Sequence, residues 1–281
     1  MSFKKLTACL TVAAMMLAVF SVALAQSING VEPDFTNGVV RVTGKGVGMS
    51  KHKNNPGKFL LTAEKAARMD AQAKLVEYIE VQVETNSTMT ESELEESIVK
   101  TSAKGIIRNA REVGEPKHWD NGTCTVVMEM PLFGGAGSIA EVAYLPFKDE
   151  PKVAFPQPSS NVAQSTGGTY TGLIIDCKGK KLEPVMSPLI KNTNNQPIYG
   201  HKHLDYDKII VNGMASYANS RNDEICRSRA GNNPLVIEAT NITDVNKNPV
   251  VSISDADRIL APNQRGKFLE NCAVVFVNFA K

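Results

Sequence analysis

Apolar and polar positions change their spacing several times along the chain, and each change marks an element. From Val39 to Thr43 β-branched residues predict a strand that ends in Gly44, Gly46 and Gly48, followed by a polar loop with Pro56 and Gly57. From Leu60 to about Glu80 the period becomes helical. Ala63, Ala67, Ala71, Leu75 and Ile79 recur every four residues, supplemented by Leu60 and Ala66, while Glu64, Lys65, Arg68, Lys74 and Glu77 take the other surface. Thr62 is placed to cap this helix. An alanine stripe lets a helix axis come close to its partner, as a helix lying flat on a sheet requires. Val81 to Val83 reads as a short strand, and Thr90 to about Ser102 as a second helix, with Leu94, Ile98 and Thr101 on one side and Gly105 at its end. Ile106–Val113 and Thr123–Leu132 then predict two strands, joined through Glu115, Pro116 and the turn signal Asp120-Asn121-Gly122.

Periodicity is lost between Lys148 and Thr169, where Pro151, Pro156, Pro158, Ser159, Ser160, Gly167 and Gly168 accumulate; this reads as a linker. Beyond it, Tyr170–Asp176 is a buried-strand run and Lys178-Gly179-Lys180 a turn. Pro188–Lys191 and Pro197–Tyr199 predict a hairpin around Asn192–Asn195. Pro234–Ala239, Val250–Ile253 and Ala273–Val277 are further strands, and Asp255–Leu260 a short helix.

The element order predicts α+β architecture in two domains, each a mixed or antiparallel sheet with one or two packed helices. The boundaries are 1–25 for a leader, 26–147 for the first domain, 148–169 for the linker and 170–281 for a strand-rich second domain. Met1–Ala25 has the form of a secretory signal: Lys4 and Lys5, an apolar run from Leu10 to Leu24, and Ala23-Leu24-Ala25 as a cleavage site after Ala25. Cys9 precedes that run instead of following it, so it is expected to leave with the signal and not to carry lipid. No later stretch is long and apolar enough to span a bilayer. The expected location is therefore periplasm or cell envelope.

Composition changes meaning once the leader is set aside. Of 31 basic residues, 29 then face 29 acidic ones, so net charge supplies no general attraction to nucleic acid or membrane, and no nucleic-acid partner is expected. Cys124, Cys177, Cys226 and Cys272 remain in an exported chain. They form either up to two disulfides, in one of three connectivities, or free buried thiols.

Motifs with chemical content are sparse. The run Gly44, Gly46, Gly48 lacks the directly following helix that a dinucleotide site needs, and reads as a glycine-rich strand end or bulge. No phosphate-binding loop follows from Gly57-Lys58 or Gly266-Lys267. Ser138, after Gly135-Ala136-Gly137, lacks the second glycine of a nucleophile elbow. Glu91, Glu93, Glu95 and Glu96 read as the start of a solvated helix, His52 and His118 as loop residues, and Trp119 as a tryptophan packed at a hairpin end, in preference to an exposed recognition residue. The most ligand-like cluster is His201, His203, Asp205 and Asp207, whose alternation on an extended chain would put imidazoles and carboxylates on one side. No catalytic, cofactor or metal residue is assigned.

Val42-Thr43-Gly44 with Gly46, Val47 and Gly48, followed by Ala63, Ala66, Ala67, Arg68, Asp70, Ala71, Leu75, Ile79, Val81 and Val83, resembles the bacterial twenty-kilodalton lipoprotein family and the N-terminal domain of flagellar assembly protein T. The resemblance extends more weakly through Gly105 to Met130. In the second domain, Tyr170–Asp176, Met186–Pro188, Ile198–Gly200, Asn233–Ile237 and Ser254–Asp257 resemble the C-terminal region of exported proteins that carry this first domain. The resemblance implies an envelope location and a structural or assembly role, in one branch around the flagellar motor. The misplaced Cys9 keeps membrane tethering from being carried over. The resulting expectation is a non-enzymatic, exported scaffold whose partners are envelope or flagellar-base proteins or another copy of itself. The alternative is a periplasmic small-ligand or metal-binding module centred on His201, His203, Asp205 and Asp207.

Overall fold

The β-branched run that opens the first half forms β2 (Val39–Val47), paired antiparallel to β1 (Val31–Asp34). The computed structural model describes residues 30–86, 93–159 and 169–277. The leader 1–25, the expected cap at Thr90 with Glu91, and residues 160–168 of the linker lie outside the described residues. The helices are α1 (Pro56–Asn86) and α2 (Glu93–Ile106). Next come β3 (Arg111–Glu112), β4 (Lys117–His118), β5 (Thr123–Pro131) and α3 (Ile139–Ala143). The first sheet is antiparallel in the order β1-β2-β5-β3, with β4 also on β5.

Alternation along β2 and β5 decides which face is covered. Val40, Val42, Cys124, Val126, Met128 and Met130 turn inward and are buried against the predicted stripe of α1, where Ala63, Ala67, Ala71, Leu75 and Ile79 are fully buried. On the opposite face Asp34, Arg41, Glu129 and Arg111 form a charged row across four strands: Arg41 meets Glu129 at 2.8 Å and Arg111 meets it at 2.5 Å. Paired opposite charges at one register penalise a one-residue slip. The Arg111 and Arg41 guanidiniums hold the Glu129 carboxyl below the ordinary carboxylate range.

Several expectations for this half are corrected. Strand β2 runs past Thr43 through Gly44 and Gly46 and ends at Val47, within the expected glycine run. Thr62 is not the cap of α1. Asn55 is, accepting the Lys58 N–H at 3.1 Å with Pro56 in the first turn, whereas the Thr62 hydroxyl donates to the Phe59 carbonyl. Leu60 is exposed, because it precedes the part of the helix that lies over the sheet. Val81–Val83 continues α1: short apolar runs have no period of their own, and the helix already formed extends through them. Among the described side chains of α2, Val99 and Ala103 are buried and Thr101 is exposed, whereas the expected Leu94 and Ile98 lie outside the described side chains. That helix tightens into a 3-10 turn at Ile107–Asn109, so the strand expected from Ile106 shrinks to β3.

The second half has β6 (Gly172–Asp176), β7 (Ile190–Asn192), β8 (Pro197–Tyr199), α4 (Tyr206–Asn212), β9 (Ser216–Ala218) and α5 (Glu224–Ala230). It continues with β10 (Pro234–Glu238), β11 (Asn241–Thr243), β12 (Asn248–Val251), α6 (Ile253–Gly266) and β13 (Val274–Val277). Strands β10-β6-β13-β9 make an all-parallel sheet, and β11-β12-β7-β8 a mixed one in which β7 and β8 form the expected hairpin. The parallel pairing explains the continuous apolar runs of β6 and β13, buried on both faces. Leu173, Ile175, Val274 and Phe276 join the main core, while Ile174, Val275 and Val277 pack with Cys226 and Ala230 of α5. Ser252 caps α6, which runs to Gly266, past the expected end at Leu260. The protein is α+β, as the element order predicted.

The main apolar core is continuous from one half to the other. Gly134 and Gly135 both donate to the Ile210 carbonyl, the Tyr144 hydroxyl donates to the Met186 carbonyl at 2.7 Å, and the Tyr206 hydroxyl to the Glu141 carbonyl at 2.8 Å. The described start of the expected linker is held down: the Val153 N–H donates to the Lys202 carbonyl, and Ser159 bonds the Asp257 carboxylate.

Candidate functional site

The cluster His201, His203, Asp205 and Asp207 is not an extended strand. His201–His203 is a 3-10 turn, and Asp205 is the N-cap of α4, accepting the Asp207 N–H at 3.1 Å. An aspartate ahead of an apolar helical run prefers this local bond, and the turn it imposes destroys the alternation that would have aligned the four side chains. Each goes to a different partner. His201 packs against Phe147, ring centres 4.5 Å apart and the planes tilted by 43°, with neither ring nitrogen hydrogen-bonded, and burial pushes its pKa down to about 4. The His203 ring lies on Phe155, its Nδ1 3.1 Å from the Val153 carbonyl. Asp205 pairs with Lys152, and Asp207 faces solvent. Among the described residues no three His, Cys, Asp or Glu side chains are grouped to hold a metal ion.

The glycine run has a packing role. A Cβ on Gly44 would stand 2.1 Å from the Ala67 carbonyl oxygen, one on Gly46 2.3 Å from that of Ala63, and one on Gly48 2.5 Å from the Phe59 ring. Helix α1 occupies the space a phosphate would need. The Ser138 hydroxyl donates to the Gly135 carbonyl at 2.6 Å inside a tight turn. All four described cysteines are free, buried thiols, which decides between the two alternatives; burial pushes the Cys177 thiol up to about 12. Trp119, expected to pack at its hairpin end, is 56% exposed. Its backbone closes the predicted turn, N–H to the Thr123 carbonyl, and that leaves the indole outside.

The groups that converge come from elements far apart in sequence. A cleft of about 590 Å³ lies between β1 with the residues after it and the carboxyl end of β9. Phe35 from one half meets Tyr217 from the other edge-to-face, ring centres 5.6 Å apart. Around this pair stand Glu32, Asp34 and Arg41 from the first half, and Lys181, Glu183 and Asn219 from the second. The Asn37 amide groups and Arg41 hold Asp34 below the ordinary carboxylate range. Beside the cleft, at the carboxyl end of β6, the buried carboxylate of Asp176 accepts from the Lys178 N–H and from Arg221, in the loop after β9. In an open parallel sheet this edge is where loops gather ligands. Both bordering strands, β1 and β9, are terminal strands of their sheets. Sequence reading missed Phe35, Tyr217 and Arg221. The signal that was present is Asp176, a carboxylate closing an apolar strand run.

Fold and cleft together define an α+β protein in which an antiparallel half with one long helix faces the carboxyl edge of a small parallel sheet. Within the second half, residues 172–278 are similar to a family described as Treponema pallidum Tp0624, second domain; the match starts at the first residue of β6 and ends just past β13. No curated protein matches the chain.

Proposed function

We propose that the chain is a non-enzymatic, exported envelope protein that acts as a structural or assembly scaffold, with the flagellar base as one setting, and that partner segments dock in the cleft between its halves. The leader and the resemblance of the first half to the twenty-kilodalton lipoprotein family and to flagellar assembly protein T favour this reading. The observation that carries it is the cleft itself. Two sheet-terminal strands border it, and charges of both signs surround a central aromatic pair. An extended polypeptide can add backbone hydrogen bonds to a sheet edge while side chains set specificity. Partners are envelope or flagellar-base proteins, or a second copy of the chain.

A photo-crosslinking residue at Thr36 or Asn219, used in cells, is the direct test. Specific adducts with an envelope protein, lost when Tyr217 is replaced by Ala, support the reading. A crosslinking pattern identical to that of a probe on the far side at Lys104, together with unchanged motility and envelope integrity on deletion, overturns it.

A further inference from the structure

One end of the first half exposes an unusual set of side chains. Val47 at the end of β2, Met49 in the next loop, Leu60 and Leu61 in the opening turns of α1, and Trp119 at the β4–β5 hairpin tip are each 40–63% exposed. Backbone contacts bring them to the same end. Val47 is in register with Thr123, whose carbonyl accepts from the Trp119 N–H, so Val47 and Trp119 stand two strands apart, about 10 Å. The Gly48 N–H donates to the Gly122 carbonyl, and the Phe59 ring lies against both glycines. The Met49 N–H donates to the Thr62 hydroxyl in α1.

The charge at this end is one-sided. From Phe35 to Ala63 the chain has no acidic residue, but it has Arg41, Lys45, Lys51, His52, Lys53 and Lys58. Lys51, Lys53 and Lys58 are exposed, as is Lys117 in the hairpin. The nearest carboxylates already face cations: Glu64 meets Arg68 and His118, Glu112 meets Arg68, and Asp70 meets Lys74. Asp120 is the acid left at the hairpin tip.

We propose that this end docks on an anionic lipid bilayer, with Trp119, Met49, Leu61 and Val47 entering the interface and the lysines meeting lipid phosphates. Apolar side chains projecting from four separate points suit a deformable, continuous surface better than the concave pocket of a protein partner. Tryptophan favours the headgroup level because its ring is apolar with one polar N–H, and lysine stems reach up past apolar neighbours to the charged layer. Stable attachment takes two signals, here an apolar tip and a basic rim. The near-neutral total charge conceals this arrangement, because the acids lie elsewhere in the chain.

Trp119 is the one tryptophan of the chain, so its fluorescence reports this end alone. The full mature chain is mixed with vesicles of phosphatidylcholine, with or without phosphatidylglycerol, at low and high salt. Expected are co-sedimentation, a blue-shifted emission and protection from acrylamide with the phosphatidylglycerol vesicles, all weakened by salt. Each Lys→Gln change at Lys51, Lys53 or Lys58 lowers partitioning about fivefold, and the triple variant on the order of a hundredfold, from the usual attraction per lysine. Leu61→Ser reduces partitioning while thermal unfolding stays unchanged. Vesicles that leave emission and sedimentation unaltered overturn the proposal, as does equal binding to both lipids regardless of salt. Protection of Trp119 by a purified acidic protein, without any response to vesicles, assigns the surface to a protein instead.

Discussion

Gly46 of β2 and Ala63 of α1 meet backbone to backbone: a side-chain carbon on the glycine would stand 2.3 Å from the alanine carbonyl oxygen. The obstacle is helix backbone, which cannot rotate away as a side chain would. Gly46→Ala is therefore expected to lower stability by about 3 kcal/mol, the upper range for overpacking, read as a shifted urea midpoint. Gly105→Ala, where nothing lies near the added carbon, is the control and is expected to be neutral or stabilising.

Arg229 of α5 ties together two chain segments, the carboxyl end of α4 and the turn before β13. Its guanidinium donates to the carbonyls of Cys272, at 2.7 Å, Gly213, at 2.6 Å, and Asn212. Lysine has one nitrogen and cannot reach three divergent oxygens, so Arg229→Lys is expected to cost about 2 kcal/mol in denaturant unfolding despite keeping the charge.

His201 supplies a pH dependence. Burial, reinforced by Lys202 and His203, depresses its pKa from 6.5 to about 4. The unfolded chain therefore binds this proton at a higher pH than the folded one. The contribution is fully present above pH 6.5 and is lost as pH falls toward 4, by up to about 3 kcal/mol. Unfolding titrations of wild type and His201→Phe should diverge within that window and run parallel above it.

Thiol accessibility checks the redox state. Cys124, Cys177, Cys226 and Cys272 are buried and free, so an aromatic disulfide reagent should label none of them quickly in the native protein and all four after unfolding without reductant. Fewer than four in the unfolded chain would mean crosslinks. A reductant should leave the melting temperature unchanged.

The turn between β11 and β12 carries Asp244, Val245 and Asn246 in succession at positive φ, with Val245 at 54° and 68% exposed. A β-branched residue there costs roughly 1–2 kcal/mol. Val245→Gly is expected to recover about 1 kcal/mol, measured as a higher urea midpoint.

What the amino-acid order determined by itself is what depends on neighbours along the chain. The five-residue stripe of α1 is read from spacing, because burial of a helix face needs a period near 3.6, and all five positions are buried. The turn at Gly122, the hairpin around Asn192–Asn195 and the α+β class follow from equally local rules. What failed was reading without context. Val81–Val83 is apolar in either a helix or a strand, and Asp205 became a helix cap because a local hydrogen bond outweighed the alternation that suggested a ligand cluster. Only the tertiary structure could bring Phe35 to Tyr217 or Asp176 to Arg221. These partners are separated by tens to nearly two hundred positions, and their meeting is decided by which strands pair and which faces bury, not by any spacing along the chain.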